Sequence, residues 1–405
     1  MATLVAAPTA LCDATQGDAR SPRWGAVYAM ALCSFVLVAS EFLPVSLLSP
    51  IADTLRLTEG QAGQTIAISG LFAVVTSLSF SVLLGRVDRR NVVLALIAML
   101  IVSGAMVAFA PSYLVFMTGR ALLGVAIGGF WSMSAAIAIR LVPEESVGKA
   151  LAIISGGTAL ATALAAPLGS FLGSLIGWRG AFFCVVPVAI AALVWQAAAL
   201  PKLPVAERQS ARAMLGLLRS KAVLLGLFAI AMLFVGQFAL FTYLRPFLEQ
   251  VTHVSVVMLS LMLLIVGTSG FVGTVVIGRF VVERLFLTLW VLPAAMAVVA
   301  VGLALFGGST IATALLLAIW GFAGTAAPVG WWTWLARTLP EDAEAGGGLM
   351  VAVVQLAITL GATVGGVVYD TAGAVPEFLS SAALLGVAAI AALVVARHDR
   401  NAAAG

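Results

Sequence analysis

Charged side chains are scarce in this chain of 405 residues. Asp, Glu, Lys and Arg make up 9% of it, against 62% hydrophobic residues and a mean hydropathy of +1.14. A soluble globular protein carries about a quarter charged residues. This chain therefore has too few to cover a water-facing surface, and its composition indicates a membrane protein. The net charge of +4 arises from short basic clusters between apolar runs, which are not typical of a nucleic-acid-binding surface.

Cysteine and histidine are also rare. The three cysteines, Cys12, Cys33 and Cys184, are widely spaced, and the two histidines stand at the ends of apolar runs. This pattern indicates neither a disulfide framework nor a metal site. No Lys or Arg precedes Arg20, so a cleaved signal peptide is not expected.

Motifs for ATP hydrolysis and covalent catalysis are missing as well. The one Gly-Lys pair, Gly148-Lys149, lacks the P-loop spacing, and no G-x-S-x-G elbow occurs. We therefore expect a protein that is not an enzyme and needs no cofactor. One proton crossing 100 mV releases ~2.3 kcal/mol, so a proton gradient could drive concentrative transport.

Long apolar runs are abundant. Twelve of them are long enough to cross ~30 Å of hydrocarbon as helices. They cover residues 24–48, 61–85, 91–110, 113–139, 150–173, 181–199, 222–248, 254–278, 285–306, 310–336, 348–369 and 377–396. The sequence thus predicts an all-α membrane protein of twelve transmembrane helices in two six-helix bundles. The predicted parts are a tail (1–22), the first bundle (23–200), a linker (201–221), the second bundle (222–396) and a second tail (397–405).

The distribution of basic residues predicts the orientation. If the N-terminus is cytoplasmic, seventeen of the 21 Lys and Arg residues fall in cytoplasmic segments, and only Arg56 and Arg179 fall in outer loops. Such a bias predicts that both termini are cytoplasmic.

Three pairs of short strings repeat in the same order in the two halves. They are Phe42-Leu43-Pro44 with Leu244-Arg245-Pro246, Gly85-Arg86 with Gly278-Arg279, and Arg140-Leu-Val-Pro143-Glu144 with Arg337-Thr-Leu-Pro340-Glu341. The repeat indicates a six-plus-six duplication, in which a substrate binds between the halves near the membrane midplane. Chance matching of short strings is the alternative.

Glu41 is the only carboxylate that lies well inside a predicted span. We expect it about 7 residues, or ~10 Å, below the outer end of the first helix. Arg120 lies equally deep in the fourth helix, so the two should meet. Burial favours the neutral carboxyl and a guanidinium favours the ionised one, which suits a proton-coupling site. A permanent structural ion pair is the alternative.

Several motifs resemble those of the major facilitator superfamily, in its drug:proton antiporter branch. They are the loop string Gly85–Arg90, Arg120-Ala-Leu-Leu-Gly124 in the fourth run, and Ala166-Pro167-Leu168-Gly169 with Gly173 in the fifth. Further strings are similar to those of the bacterial purine ribonucleoside exporters: Glu41–Leu48, Gly128–Ser134, Ala166–Gly173, Ile176–Arg179 and Pro328–Trp331.

This resemblance implies a specific activity. We expect a monomeric exporter of the bacterial inner membrane that moves inosine-like purine ribonucleosides outward in exchange for protons by alternating access. Sugar or multidrug export is the alternative within the superfamily. Outside it, the alternatives are an intramembrane enzyme and a receptor that binds without transport.

Candidate substrate contacts lie on three of the predicted helices. Aromatic rings can stack on a base or sugar, and uncharged polar groups can orient a neutral ligand. The fourth helix offers Trp131 and Ser134, the seventh Gln237, Phe241 and Tyr243, and the eleventh Gln355. Tyr243 corresponds to Glu41 in the repeat. Helix packing explains these residues equally well.

Gating residues are predicted in two places. Asp88, Arg89 and Arg90 could pair across the cytoplasmic face and hold the outward-open state, with a solvated charged turn as the alternative. Pro167 and Gly169 could mark a bendable segment of the fifth helix. Trp331, Trp332 and Trp334 are predicted to form an interfacial belt.

Overall fold

The computed structural model describes residues 22–83, 87–204, 216–339 and 343–404. The predicted N-terminal tail up to residue 21, linker residues 205–215, and the strings Gly85-Arg86 and Pro340-Glu341 lie outside these ranges. Within them the regular structure is helical, as the composition predicted.

Twelve α-helices are described. They are α1 (Trp24–Leu55), α2 (Glu59–Leu83), α3 (Arg89–Ala108), α4 (Tyr113–Leu141), α5 (Val147–Phe183), α6 (Val185–Ala199), α7 (Lys221–Thr242), α8 (Leu244–Gln250), α9 (Val256–Phe306), α10 (Thr310–Thr338), α11 (Ala343–Ala372) and α12 (Ala374–Ala404). Eleven segments are long and apolar enough to cross a membrane, and one of them, Val147–Ala199, holds both α5 and α6. The twelve predicted spans are therefore confirmed.

Several predicted boundaries differ from those in the structure. α1 continues past Leu48 to Leu55 and ends at Arg56, whose φ of 56° stops the helix. The predicted seventh helix is divided at Tyr243 into α7 and α8, because Pro246 has no N–H to donate to the carbonyl of residue 242.

The eighth and ninth spans run together in α9, where Arg284 alone leaves the helical conformation. The predicted tail 397–405 is helical as far as Ala404, since α12 continues to that residue.

The helices form two halves, α1–α6 and α7–α12. We call the end of the bundle where α1 ends and α2 begins the distal end, and the end where α1 begins the terminal end. The halves meet where α2 packs against α11 and α5 packs against α9, and we call these two contacts the distal seam. A Cβ at Gly267 of α9 would overlap the Ala163 carbonyl of α5, so glycine permits this close approach.

Hydrogen bonds cross the distal seam at several levels. Asp370 of α11 accepts from the Thr58 hydroxyl at 2.6 Å and from the Gly60 N–H at 2.9 Å. The hydroxyls of Ser170 in α5 and Ser260 in α9 lie 2.8 Å apart. The protein is therefore closed at its distal end in this conformation.

Candidate functional site

Two prolines shape the helix that carries Glu41. Pro44 and Pro50 lie inside α1, and a proline cannot donate to the carbonyl four residues before it. The carbonyls of Ser40 and Ser46 therefore lose their helical partners. In a membrane such groups must find partners elsewhere in the protein.

Arg120 of α4 provides the partner for Ser40. Its Nη1 donates to the Ser40 carbonyl at 2.6 Å and its Nη2 to the Glu41 carbonyl at 3.1 Å. Its other donors reach Thr65 O at 2.8 Å and Ser69 Oγ at 3.1 Å, both in α2. Arg120 is 1% exposed. The structure thus brings Arg120 and Glu41 together, but through the main chain of Glu41 and not through its carboxylate.

Arg245 provides the partner for Ser46. This residue of α8 lies in the other half, and its Nη1 donates to the Ser46 carbonyl. Its Nε donates to Glu249 at 2.8 Å in an ion pair. Each proline-freed carbonyl of α1 is therefore bound by a buried guanidinium, one from each half.

The carboxylate of Glu41 faces the C-terminal half. Glu41 is 5% exposed, and its Oε1 accepts from Nε2 of Gln355 in α11 at 3.2 Å. The predicted proton-coupling residue and a predicted substrate residue are thus in direct contact across the two halves. Because the guanidinium of Arg120 is engaged by carbonyls, it does not form an ion pair with this carboxylate, and the Glu41 side chain keeps a single neutral amide as its described partner.

Phe42, the residue after Glu41, belongs to a cluster of aromatic rings. Phe42 stacks on Phe238 of α7 with centroids 5.6 Å apart, and Phe241 meets it edge-on at 6.4 Å. Phe42 and Trp131 both pack against the small cluster of Val38, Ala39, Ala161 and Ala165. Phe42 thus contacts Phe241 of the other half and shares this cluster with Trp131.

Gln237 presents an unused acceptor near these rings. Its Nε2 donates to the Gly324 carbonyl of α10 at 3.3 Å. Its Oε1 is buried and has no hydrogen-bond partner among the described residues. An orphaned acceptor of this kind is expected where a ligand donor completes the bonding.

Ser134 and Tyr243 occupy different surroundings. Ser134 is 6% exposed on α4. Tyr243 is fully buried, donates to the Ala362 carbonyl at 2.7 Å and stacks on Tyr369. A Cβ at Gly63 of α2 would overlap its hydroxyl. Tyr243 therefore seals the distal seam, and its predicted contact with substrate, like that of Ser134, stays a prediction.

The predicted gating residues at the terminal end contact their own half. The Asp88 carboxylate accepts from the backbone N–H of Arg90 at 2.8 Å and of Leu203 at 3.1 Å. Arg90 donates to the Ala197 carbonyl at 2.7 Å, and the Arg89 N–H donates to the Leu203 carbonyl at 3.0 Å. These bonds attach the start of α3 to the end of α6. A gating role remains a prediction.

Pro167 and Gly169 lie in α5 where it packs on α1. Pro167 is buried, and a Cβ at Gly169 would overlap the Ser46 hydroxyl. The kink in α5 occurs further along, at Gly177, whose φ is 74°. Bending at residues 167–169 also stays a prediction.

The prediction of an interfacial tryptophan belt is wrong for two of the three residues. Trp331 and Trp334 are 1% and 3% exposed and meet edge-on at 5.5 Å, whereas Trp332 is 45% exposed. Trp334 fits into the bundle because α7 has a glycine, Gly226, at the contact. The indole N–H of Trp331 has no partner in the described part of the chain.

Sequence reasoning missed two acidic residues at the distal end. Glu377 is fully buried, and Asp370 bonds across the seam. Each lies within a few residues of a predicted span boundary, where a solvated position was the natural expectation. The two prolines of α1 were a signal available in the sequence, since each implied an orphaned carbonyl and a donor to satisfy it.

Comparisons with known proteins agree with this architecture. The model of the Major Facilitator Superfamily matches residues 30–357. The chain is 53% identical over 396 residues to "Transcription regulatory protein OpdE" of Pseudomonas aeruginosa, covering 96% of this chain and 98% of that protein. It is 41% identical over 379 residues to "Purine ribonucleoside efflux pump NepI" of Salmonella paratyphi B, covering 94% and 95%.

A similar fold is found among solved structures. A bacterial homolog of the human lysosomal transporter Spinster, crystallised in an inward-facing, unoccupied conformation, superimposes with a TM-score of 0.77 at 15% identity, covering 93% of this chain and 97% of that one. With twelve spans in two halves, the family motifs and these relatives, the chain belongs to the Major Facilitator Superfamily as a multi-pass membrane transporter.

Proposed function

We propose that this transporter exports purine ribonucleosides in exchange for protons, with Glu41 as the proton-coupling residue. The observation that carries the proposal is the contact between the Glu41 carboxyl and Gln355. The contact joins the two halves through a titratable group that is buried and has no ion-pair partner among the described residues. Charged groups at bilayer depth are costly and are commonly functional.

Coupling follows from what one proton does to this contact. An ionised Glu41 accepts a charge-assisted hydrogen bond from Gln355, whereas a protonated Glu41 makes only a neutral one. Protonation therefore changes the free energy of a bond that joins the halves. Exchange requires that Glu41 gain its proton from one side of the membrane and lose it to the other as the halves rearrange. Arg120 positions α1 for this step by binding the carbonyls of Ser40 and Glu41.

The surroundings of Glu41 suit a flat, neutral ligand with hydroxyl groups. Phe42, Phe241 and Trp131 offer aromatic faces, and the free Oε1 of Gln237 can accept from an N–H or O–H. A purine ribonucleoside supplies both a planar base and several donors. The 41% identity to a purine ribonucleoside efflux pump supports this choice.

The orientation completes the proposal. The basic residues favour a cytoplasmic terminal end, which assigns the closed distal end to the outside of the bacterial inner membrane. In that orientation the conformation described here faces the cytoplasm.

A substitution at Glu41 tests the coupling. Proteoliposomes containing the Glu41→Gln variant should still exchange labelled inosine at equilibrium, but should not accumulate it when a pH gradient is imposed. Glu145→Gln, which removes an exposed carboxylate, serves as the matched control and should accumulate inosine as the unchanged protein does. Gradient-driven accumulation by Glu41→Gln would contradict the proposal. Parallel assays with arabinose and a lipophilic cation separate nucleoside export from sugar or multidrug export.

A second candidate is suggested by the name of the 53% identical relative, which describes a transcription regulatory protein. A membrane protein could alter transcription by binding a small molecule without moving it. Saturable binding of inosine with no counterflow in proteoliposomes would favour this receptor function over transport.

A further inference from the structure

Glu377 is a buried acid that the proposed transport cycle does not use. It lies in the first turn of α12 at the distal end and is fully buried. Neither carboxyl oxygen has a hydrogen-bond partner among the residues that the structure describes. A carboxyl group so placed needs an explanation, since an unpaired buried charge is strongly unfavourable.

The helices around Glu377 are tightly fixed. One turn away, the Ser381 hydroxyl donates to the Gly236 carbonyl of α7 at 2.6 Å. The next residue, Phe378, stacks on Phe247 of α8 with centroids 4.2 Å apart. Two further hydroxyls at this end, those of Thr242 and Thr252, are also buried without a partner in the described ranges.

No charged group neutralises Glu377 among the residues that the structure describes. Glu377 lies within electrostatic range of Tyr243, between α7 and α8, and of Tyr369 in α11, and neither side chain is a cation. Arg245, a buried cation at this end, is bound to Glu249 and to the Ser46 carbonyl. An ionised Glu377 would be a buried charge without a hydrogen-bond or ion-pair partner in the described ranges, which is strongly unfavourable, so it carries a proton in this closed conformation.

The position of Tyr243 links that proton to the distal seam. Its ring stacks on Tyr369, and its hydroxyl lies against Gly63 of α2 and bonds to Ala362 of α11. Opening the seam separates α2 from Tyr243 and exposes the ring that lies within electrostatic range of Glu377. Water that reaches this ring would stabilise the ionised form of the carboxyl group.

We infer that Glu377 is a second proton-binding site, which must be occupied for the distal end to close. Its proton enters from and returns to the distal side, so it is not a transported proton and is distinct from the one bound by Glu41. Closure is then linked to the uptake of one proton, and acid on the distal side favours the closed conformation. This inference does not depend on the substrate of the transporter.

Distances across the distal end test the inference. Spin labels are attached to cysteines introduced at Pro111 and Gly308, which are exposed on the two halves, with Cys12 and Cys184 changed to serine. In the unchanged protein, lowering the pH should increase the ratio of closed to open molecules, by up to about tenfold per pH unit for one linked proton. Glu377→Gln and Glu377→Met are uncharged at every pH and should stay closed throughout.

Glu41→Gln is the matched control, and it should retain a pH-dependent distance even if it no longer couples transport. A pH-independent distance in the unchanged protein would overturn the inference, as would the same pH dependence in both Glu377 variants. Failure of both variants to fold would also overturn it, because a neutral carboxyl at this place should tolerate neutral replacements of similar size.

Discussion

At the scale of single residues, Gln355 decides how Glu41 contacts the other half. The amide donates to the carboxylate at 3.2 Å, and the Gln355 side chain is buried. An amide can donate to both protonation states of a carboxyl group, so this contact changes in strength without being lost. Such a partner suits a group that must gain and lose a proton.

Replacing Gln355 by leucine should therefore uncouple the protein. Glu41 would lose its hydrogen-bond donor. A hydrogen bond to a charged group is worth about 1.5–3 kcal/mol. We expect gradient-driven inosine accumulation to fall at least tenfold, measured in proteoliposomes. Thr363→Val is the control, because it removes another hydrogen bond between the halves, that of Thr363 with Gln64. An equal loss in both variants would indicate that Gln355 acts only in packing.

The sequence could predict part of this site and not the rest. Glu41 and Arg120 stood out because charges inside apolar runs are rare, and they do lie side by side. The length of α1 was underestimated, so the depth of Glu41 was not well determined. Whether Arg120 bonds to a carboxylate or to carbonyls depends on rotamers and on the path of the main chain, which residue spacing does not specify.

At the scale of elements, α1 is organised by its two prolines. Pro44 leaves the Ser40 carbonyl for Arg120 of the same half, and Pro50 leaves the Ser46 carbonyl for Arg245 of the other half. A feature that usually weakens a helix thus creates two acceptors for buried cations.

Pro50→Ala should weaken closure of the distal end. The new N–H at position 50 can donate to the Ser46 carbonyl. This N–H would then compete with the Arg245 guanidinium for the same acceptor. We expect a larger open fraction with the spin-labelled pair described above. Pro293→Ala, a proline inside α9, is the control and should leave the distances unchanged. Unaltered distances in Pro50→Ala would show that the bond from Arg245 does not hold the seam.

Element boundaries were less predictable than element existence. The apolar runs identified every span, but they did not separate α7 from α8 or join the two spans of α9. Hydropathy is a property of side chains. The break at Tyr243 and the continuation of α9 through Arg284 depend instead on the conformation of the main chain.

At the scale of the whole molecule, the distal seam defines one of the states that a transporter must visit. Asp370 of one half binds the start of α2 in the other, where helix N–H groups lack partners. The repeat in the sequence predicted two halves, but it could not predict which end is closed. Both arrangements use the same sequence, so the residue pattern does not choose between them.

A crosslink across the seam should stop transport. The Ser170 and Ser260 hydroxyls lie 2.8 Å apart, so cysteines at both positions should form a disulfide after mild oxidation. We expect inosine counterflow to fall to background and to recover on reduction, in a protein whose Cys184 is changed to serine. Each single cysteine variant is the control and should be insensitive to oxidation. Full counterflow by the oxidised double variant would mean that the seam does not open during the cycle.

The hydrogen bonds from Arg120 and Arg245 to the main chain of α1 have a consequence for mutational scans. Both acceptors are oxygens of the peptide backbone, so alanine in place of Ser40 or Ser46 leaves them unchanged. An alanine scan of α1 would therefore miss the atoms that hold the helix. Only replacement of a proline or an arginine, or an ester in place of an amide in the main chain, would reveal them.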